Sequence, residues 1–234
     1  MALQMTHLAV AYRIADFLNV KDNFAEYILG SIAPDSVWFS DSFLEKKIHS
    51  HCFENCGPWG ETQDYDMWAA NIKNFWKKYV VDEKDAQMKA FLTGMCVHTL
   101  TDYWYDLMVW SELKKKSIPP MTFDEFKKVY YPEAQKLDEW LLQNFFGAKD
   151  IVELLGASKE IDFEDFVWAD NQCAMKKQLL ETNFKVEGVV DVSDNKIFAL
   201  DMMKSFVEEA PEKIFEQIKE FTRWGWQDEV LCRF

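Results

Sequence analysis

His98 and Asp102 stand four residues apart in the run Gly94-Met95-Cys96-Val97-His98-Thr99-Leu100-Thr101-Asp102-Tyr103-Trp104-Tyr105-Asp106. This run lies inside a longer apolar stretch from Asp85 to Lys116. There Met88, Phe91, Leu92, Met95, His98, Thr99, Asp102, Tyr105 and Val109 recur at spacings of three and four, which is a helical stripe. Side chains one turn apart have Cβ atoms roughly 5–6 Å apart. An imidazole and a carboxylate so placed, facing a core, can hold one divalent cation from a rigid element. Asp106 continues the line by another turn. A single His-x3-Asp pair is also an ordinary buried hydrogen bond, so the metal reading depends on where the other histidines fall.

All four histidines, His7, His49, His51 and His98, lie in the first hundred residues, and each has further chemistry beside it. His7 falls in the first turn of an expected helix, on its inward side, where a core histidine with one backbone partner is the alternative. Asp35 follows Pro34, which forbids helix at Ala33, so the break fixes its backbone and leaves its side chain free. Capping the next turn is its other reading. His49 and His51 are two apart and point the same way if their segment is extended. A soft site of His49, His51, Cys52 and Cys56 lacks a second cluster at matching spacing. Neutral imidazoles together with Asp35, Asp102 and Asp106 are what a hard or borderline cation requires from several helices.

The elements that must carry these residues read as helices throughout. Thr6 to Leu18 forms one, with Thr6 as N-cap; Asn23 to Ser31 forms a second; residues 36–65 are the least regular part. A helix from Asp66 to Tyr79 follows the aromatic loop Gly57-Pro58-Trp59-Gly60. Beyond the stop Ser117-Ile118-Pro119-Pro120, Thr122 caps a helix with Glu125 at the capping-box position, and Pro132 begins another. Ile151 to Leu155 is short and closed by Gly156. Asp162 to Asn183 and Ser193 to Arg223 follow, the last broken or kinked near Pro211. The class is all-α. Residues 1–116 bear the site. Residues 117–234, which hold no histidine, pack on them within a single domain and shape a pocket or a homo-oligomer contact.

Trp59, Trp104 and Tyr105 are candidate pocket walls. Thr99 and Thr101 are expected to bond the preceding helical turn. Gly94 costs about 1 kcal/mol against alanine in a helix interior, a cost explained if a neighbouring helix approaches closely near the metal.

At 234 residues, 49% of them hydrophobic and including 19 Phe and 10 Trp, the chain can bury a large core and is not a disordered one. A net charge of −14 excludes an extended nucleic-acid footprint. It leaves room for a small phosphoester bound at a cation, which supplies local positive charge. No apolar stretch approaches the ~20 residues of a membrane span. Five irregularly spaced cysteines and an N-terminus without a signal-like run point to the cytoplasm.

The ordered set Thr6-His7, Gly30-Ser31-Ile32-Ala33-Pro34-Asp35, Ser50-His51 and His98-Thr99-Leu100-Thr101-Asp102 resembles the zinc-dependent phospholipase C family, whose all-α fold is shared by single-strand-specific zinc nucleases. The resemblance covers about residues 5–112. It implies a helical bundle with a metal site between helices, and His7, Asp35, His51, His98 and Asp102 as ligands. Asp102 would be the bridging carboxylate, and Asp35 a ligand that also acts as base. The family's later histidines have no counterpart, since none follows His98. One or two zinc ions are therefore expected rather than three, with Asp106, His49 or a downstream carboxylate filling a gap. The implied activity is hydrolysis of a phosphodiester or phospholipid-headgroup-like bond by metal-activated water. The competing reading is a non-catalytic scaffold that keeps a structural metal.

Overall fold

The computed structural model describes residues 2–223. Its centre is α5 (Ala86–Tyr105), started by Asp85, whose side chain accepts from the Met88 amide at 2.7 Å. Every residue from Ala90 to Asp102 is buried, so the expected one-sided stripe is in fact a helix enclosed on all faces. The helical path continues through a wide π turn, Asp106–Trp110, into α6 (Ser111–Ser117).

Around α5 pack α1 (Gln4–Leu18), α2 (Phe24–Gly30), α4 (Tyr65–Phe75) and α10 (Leu200–Arg223). The tightest crossing is α2 on α5. A Cβ on Gly94 would fall on the Tyr27 carbonyl oxygen and 2.8 Å from the Ser31 amide, and one on Gly30 would fall on the Phe91 carbonyl. Two backbones therefore meet with no side chain between them, which accounts for glycine inside a helix.

α3 (Phe43–Ser50) occupies part of the stretch expected to be irregular. α7 (Phe123–Asn144) has the predicted capping box at Thr122 and Glu125 but runs unbroken through Pro132. Pro132 and Lys128 are both exposed, so the carbonyl that loses its amide partner can take water instead. α10 also passes Pro211 unbroken, held by the buried stripe Met203, Phe206, Val207, Ala210, Ile214, Ile218 and Phe221. α8 (Ala148–Ala157) and α9 (Ala169–Gln178) complete the bundle. Residues expected to begin the α9 helix, from Asp162, instead form a turn closed by the Phe163–Val167 bridge. No helix among the described residues is long and apolar enough to cross a membrane.

Candidate metal centre

His7 is positioned from a distance. Leu3 precedes α1 and offers no side-chain cap, and Thr6 lies inside the helix rather than at its start. The missing cap comes from α7. The Asp138 carboxylate accepts from the Met5 amide at 2.7 Å, the Thr6 amide at 2.8 Å and the Thr6 hydroxyl at 2.7 Å. Burial nonetheless pushes the Asp138 carboxyl up to about 6. The C-terminal half thus fixes the helix end that bears His7.

Asp35 sits in the 3-10 turn Ala33–Phe39, next to Pro34. The Ser50 hydroxyl donates to the Pro34 carbonyl at 3.1 Å and ties this turn to the end of α3. His51 follows as the C-cap of α3, with its carbonyl taken by the Trp68 indole at 2.9 Å and its ring edge-on to Trp59. His98, on α5, donates from Nδ1 to the Ser31 carbonyl at 2.9 Å.

These residues converge. One ligand atom each from His7, Asp35 and His98 lie within 4.8 Å of one another, and so do those of His51, His98 and Asp102. The two sets overlap at His98. His7 stacks on His98 with centroids 3.9 Å apart, and its Nε2 is 3.5 Å from Asp102 Oδ1. The Ala2 amide also donates to Asp102, at 3.1 Å.

The arrangement is rich in lone pairs. A carbonyl only accepts, so Nδ1 of His98 carries the ring proton, and His51 Nδ1 does too, 3.0 Å from the Lys47 carbonyl. Burial, more than any neighbour, lowers both imidazoles below the ordinary histidine range and keeps them neutral. Their Nε2 atoms are therefore bare, and they face each other at 3.2 Å. Asp35 Oδ1, which also accepts from the Lys47 ammonium at 3.3 Å, lies 3.3 Å from His51 Nε2. Burial pulls the two carboxyls upward. It is outweighed at Asp35 chiefly by the Lys47 ammonium and at Asp102 chiefly by His7, so both stay ionised. Neither ring nitrogen of buried His7 has a hydrogen-bond partner. Bare nitrogens and carboxylate oxygens packed this closely, with an orphaned imidazole among them, fit a divalent cation of the zinc class.

Other candidates lie apart from this convergence. His49 is exposed and pairs with Glu54 at 2.7 Å, because α3 continues through Ser50 and the two nearby histidines diverge. Asp106 is buried and accepts from the hydroxyls of Thr62 and Ser111. Cys52 and Cys56 are buried free thiols, both pushed upward by burial. The Thr99 and Thr101 hydroxyls donate to the carbonyls one turn back, as expected. Trp104 donates to Gln217 and Tyr105 shares a hydrogen bond with Tyr130, whereas Trp59 does line the site.

A cleft of about 570 Å³ opens over the cluster, lined by Asp35, Lys47, Trp59 and Tyr131 with an apolar wall of Trp38, Phe43, Leu44 and Ile48. Asp35 is the cluster's contact with it, at 15% side-chain exposure, while Asp102 and the three imidazoles are enclosed.

The buried imidazoles set an acid limit. Their folded pKa values lie below the ordinary 6.5, so the unfolded chain binds protons more readily and stability falls as pH drops below 6.5. Each contributes about 1.4 kcal/mol per pH unit until its folded value is reached. Asp138, raised from 3.8 to about 6, acts in the opposite sense: its contribution is full below 3.8 and is lost as pH rises through 6. It offsets one imidazole below pH 6. Urea unfolding in chelator should therefore give a lower stability at pH 5 than at pH 7. A flat or rising profile would show that the imidazoles are not held neutral.

Residues 6–105 match the family model described as zinc dependent phospholipase C. No curated protein matches the chain, and no solved structure does. All five converging residues fall inside the matched segment, so the part of the chain that builds the cluster is the part similar to the zinc-dependent phospholipase C family.

Proposed function

We propose that the protein is a zinc-dependent phosphodiesterase acting on lipid-like phosphodiesters. The observation that carries this reading is the pair of bare imidazole nitrogens and two carboxylates converging beneath a cleft with apolar walls. His7, Asp35, His51, His98 and Asp102 would hold the metal. When bound, zinc lowers the pKa of a coordinated water toward ~7 and polarises a phosphoryl oxygen. The chain does the rest. Ser31 and Lys47 carbonyls fix the ring protons of His98 and His51 on Nδ1, presenting Nε2 inward. Asp102, enclosed, supplies charge alone. Asp35 touches both the cluster and the cleft, so it is the group placed to accept the proton of an attacking water. The apolar wall suits a substrate with a hydrocarbon body: Trp38 is 68% exposed and Leu44 73%, both at the cleft.

Elemental analysis of protein prepared without chelator should find at least one zinc per chain. Hydrolysis of a soluble chromogenic phosphodiester should vanish with chelator and return with zinc. Substoichiometric metal, or turnover indifferent to chelator, would sink the reading. The structural-metal alternative draws on the enclosure of four of the five residues. It predicts zinc without turnover, and unfolding on zinc removal.

A further inference from the structure

We infer that the Lys47 ammonium is the anion-binding group of this cleft, taking the non-bridging oxygens of a phosphodiester. The inference rests on the phosphodiesterase reading for its substrate, but its evidence is separate. Among the described residues lining the cleft, Lys47 alone carries a positive charge. Its side chain is only 16% exposed, and its ammonium lies 4.6 Å from the centroid of Trp59 and 5.6 Å from that of Phe43. These two rings confine a normally mobile stem and lower the entropy lost on binding. Its ammonium donates to Asp35 Oδ1 at 3.3 Å, a long ion pair that uses one of three donors.

Charge balance gives this lysine a task. Asp35 and Asp102 bring two negative charges, and with neutral imidazoles a single divalent cation only cancels them. A neutral centre at the bottom of a strongly acidic protein has no net attraction for a phosphodiester anion. Lys47 supplies the missing charge at the one carboxylate that faces the cleft. Once Asp35 serves as a ligand, its charge is shared with the metal and the ammonium's hold on it weakens. The anion then becomes the stronger partner. Unlike the cluster residues, Lys47 contributes no ligand atom, so its loss should leave metal binding intact.

The test compares parent protein with Lys47→Gln and Lys47→Arg, each assayed for zinc content, binding of inorganic phosphate by calorimetry, and turnover of a soluble chromogenic phosphodiester. Lys47→Gln should keep the parent's zinc, bind phosphate at least about tenfold more weakly, and lose about 10²-fold in kcat/KM. Lys47→Arg should recover much of both losses. Lys47→Met, which keeps the stem against Trp59, repeats the measurement should the glutamine variant fail to fold. Unchanged phosphate affinity in the glutamine or methionine variant overturns the assignment. If the parent still holds zinc and hydrolyses substrate, the phosphodiesterase reading survives that result. A parent that takes up neither zinc nor phosphate overturns both.

Discussion

An Asp102→Asn protein should fold as the parent does and hold almost no zinc. The substitution keeps volume and shape, and the amide oxygen can still accept from the Ala2 amide, now 3.1 Å from Oδ1. What disappears is the charge, in a place where His7, His51 and His98 approach within 3.5, 3.7 and 3.9 Å. Without metal this carboxylate faces bare nitrogens on His51 and His98. An amide N–H could donate to one of them, so the metal-free variant should match or slightly exceed the metal-free parent in stability. Zinc affinity should fall by about 10²-fold or more, beyond what loss of an outer partner costs. Hydrolysis should fall by about 10³-fold, because water activation leaves with the cation. Elemental analysis beside thermal unfolding with and without chelator measures both effects. A variant with the parent's zinc content would remove Asp102 from the ligand set.

The site was legible to the degree that its parts were local. The four-residue spacing of His98 and Asp102 declares a shared helix face, and Pro34 announces the break that frees Asp35. Gly94 flagged a close helix approach, and the Tyr27 and Ser31 backbones are what lie against it. The contacts that sequence reasoning missed are the non-local ones. Asp138 looks like any surface acid on a helix; only folding places it under the amides of Met5 and Thr6. Lys47 reads as one of two adjacent lysines until Trp59, from a separate loop, encloses it. The common direction expected of His49 and His51 assumed extended backbone, and α3 removed that premise. Pro132 suits a helix start because its missing amide is harmless there. An exposed position inside α7 proves equally tolerant.

Gly94→Ala should be among the most destabilising single-methyl additions available to this chain. Its new Cβ would lie 2.8 Å from the Ser31 nitrogen and 2.9 Å from the Gly30 carbonyl carbon, and would fall on the Tyr27 carbonyl oxygen. All three are backbone atoms of α2 or its end, so no rotamer change relieves the overlap and the two helices must separate. We expect a loss of about 3 kcal/mol, which for a chain of this size lowers Tm by roughly 6–12 °C. The displaced backbone includes Ser31, whose carbonyl holds the His98 ring in the tautomer that presents Nε2 to the cluster. Zinc affinity should consequently drop as well, by about tenfold or more, the usual cost of losing a ligand's outer partner. Gly156→Ala is the matched control. It lies inside α8 with nothing within 4 Å of the added carbon, so ordinary helix propensity governs and stability should rise by up to about 1 kcal/mol. Differential scanning calorimetry of both variants, with and without zinc, separates steric contact from propensity. A Gly94→Ala protein that melts within a degree or two of the parent would mean that α2 is not pressed against α5. The orientation of His98 would then need another origin.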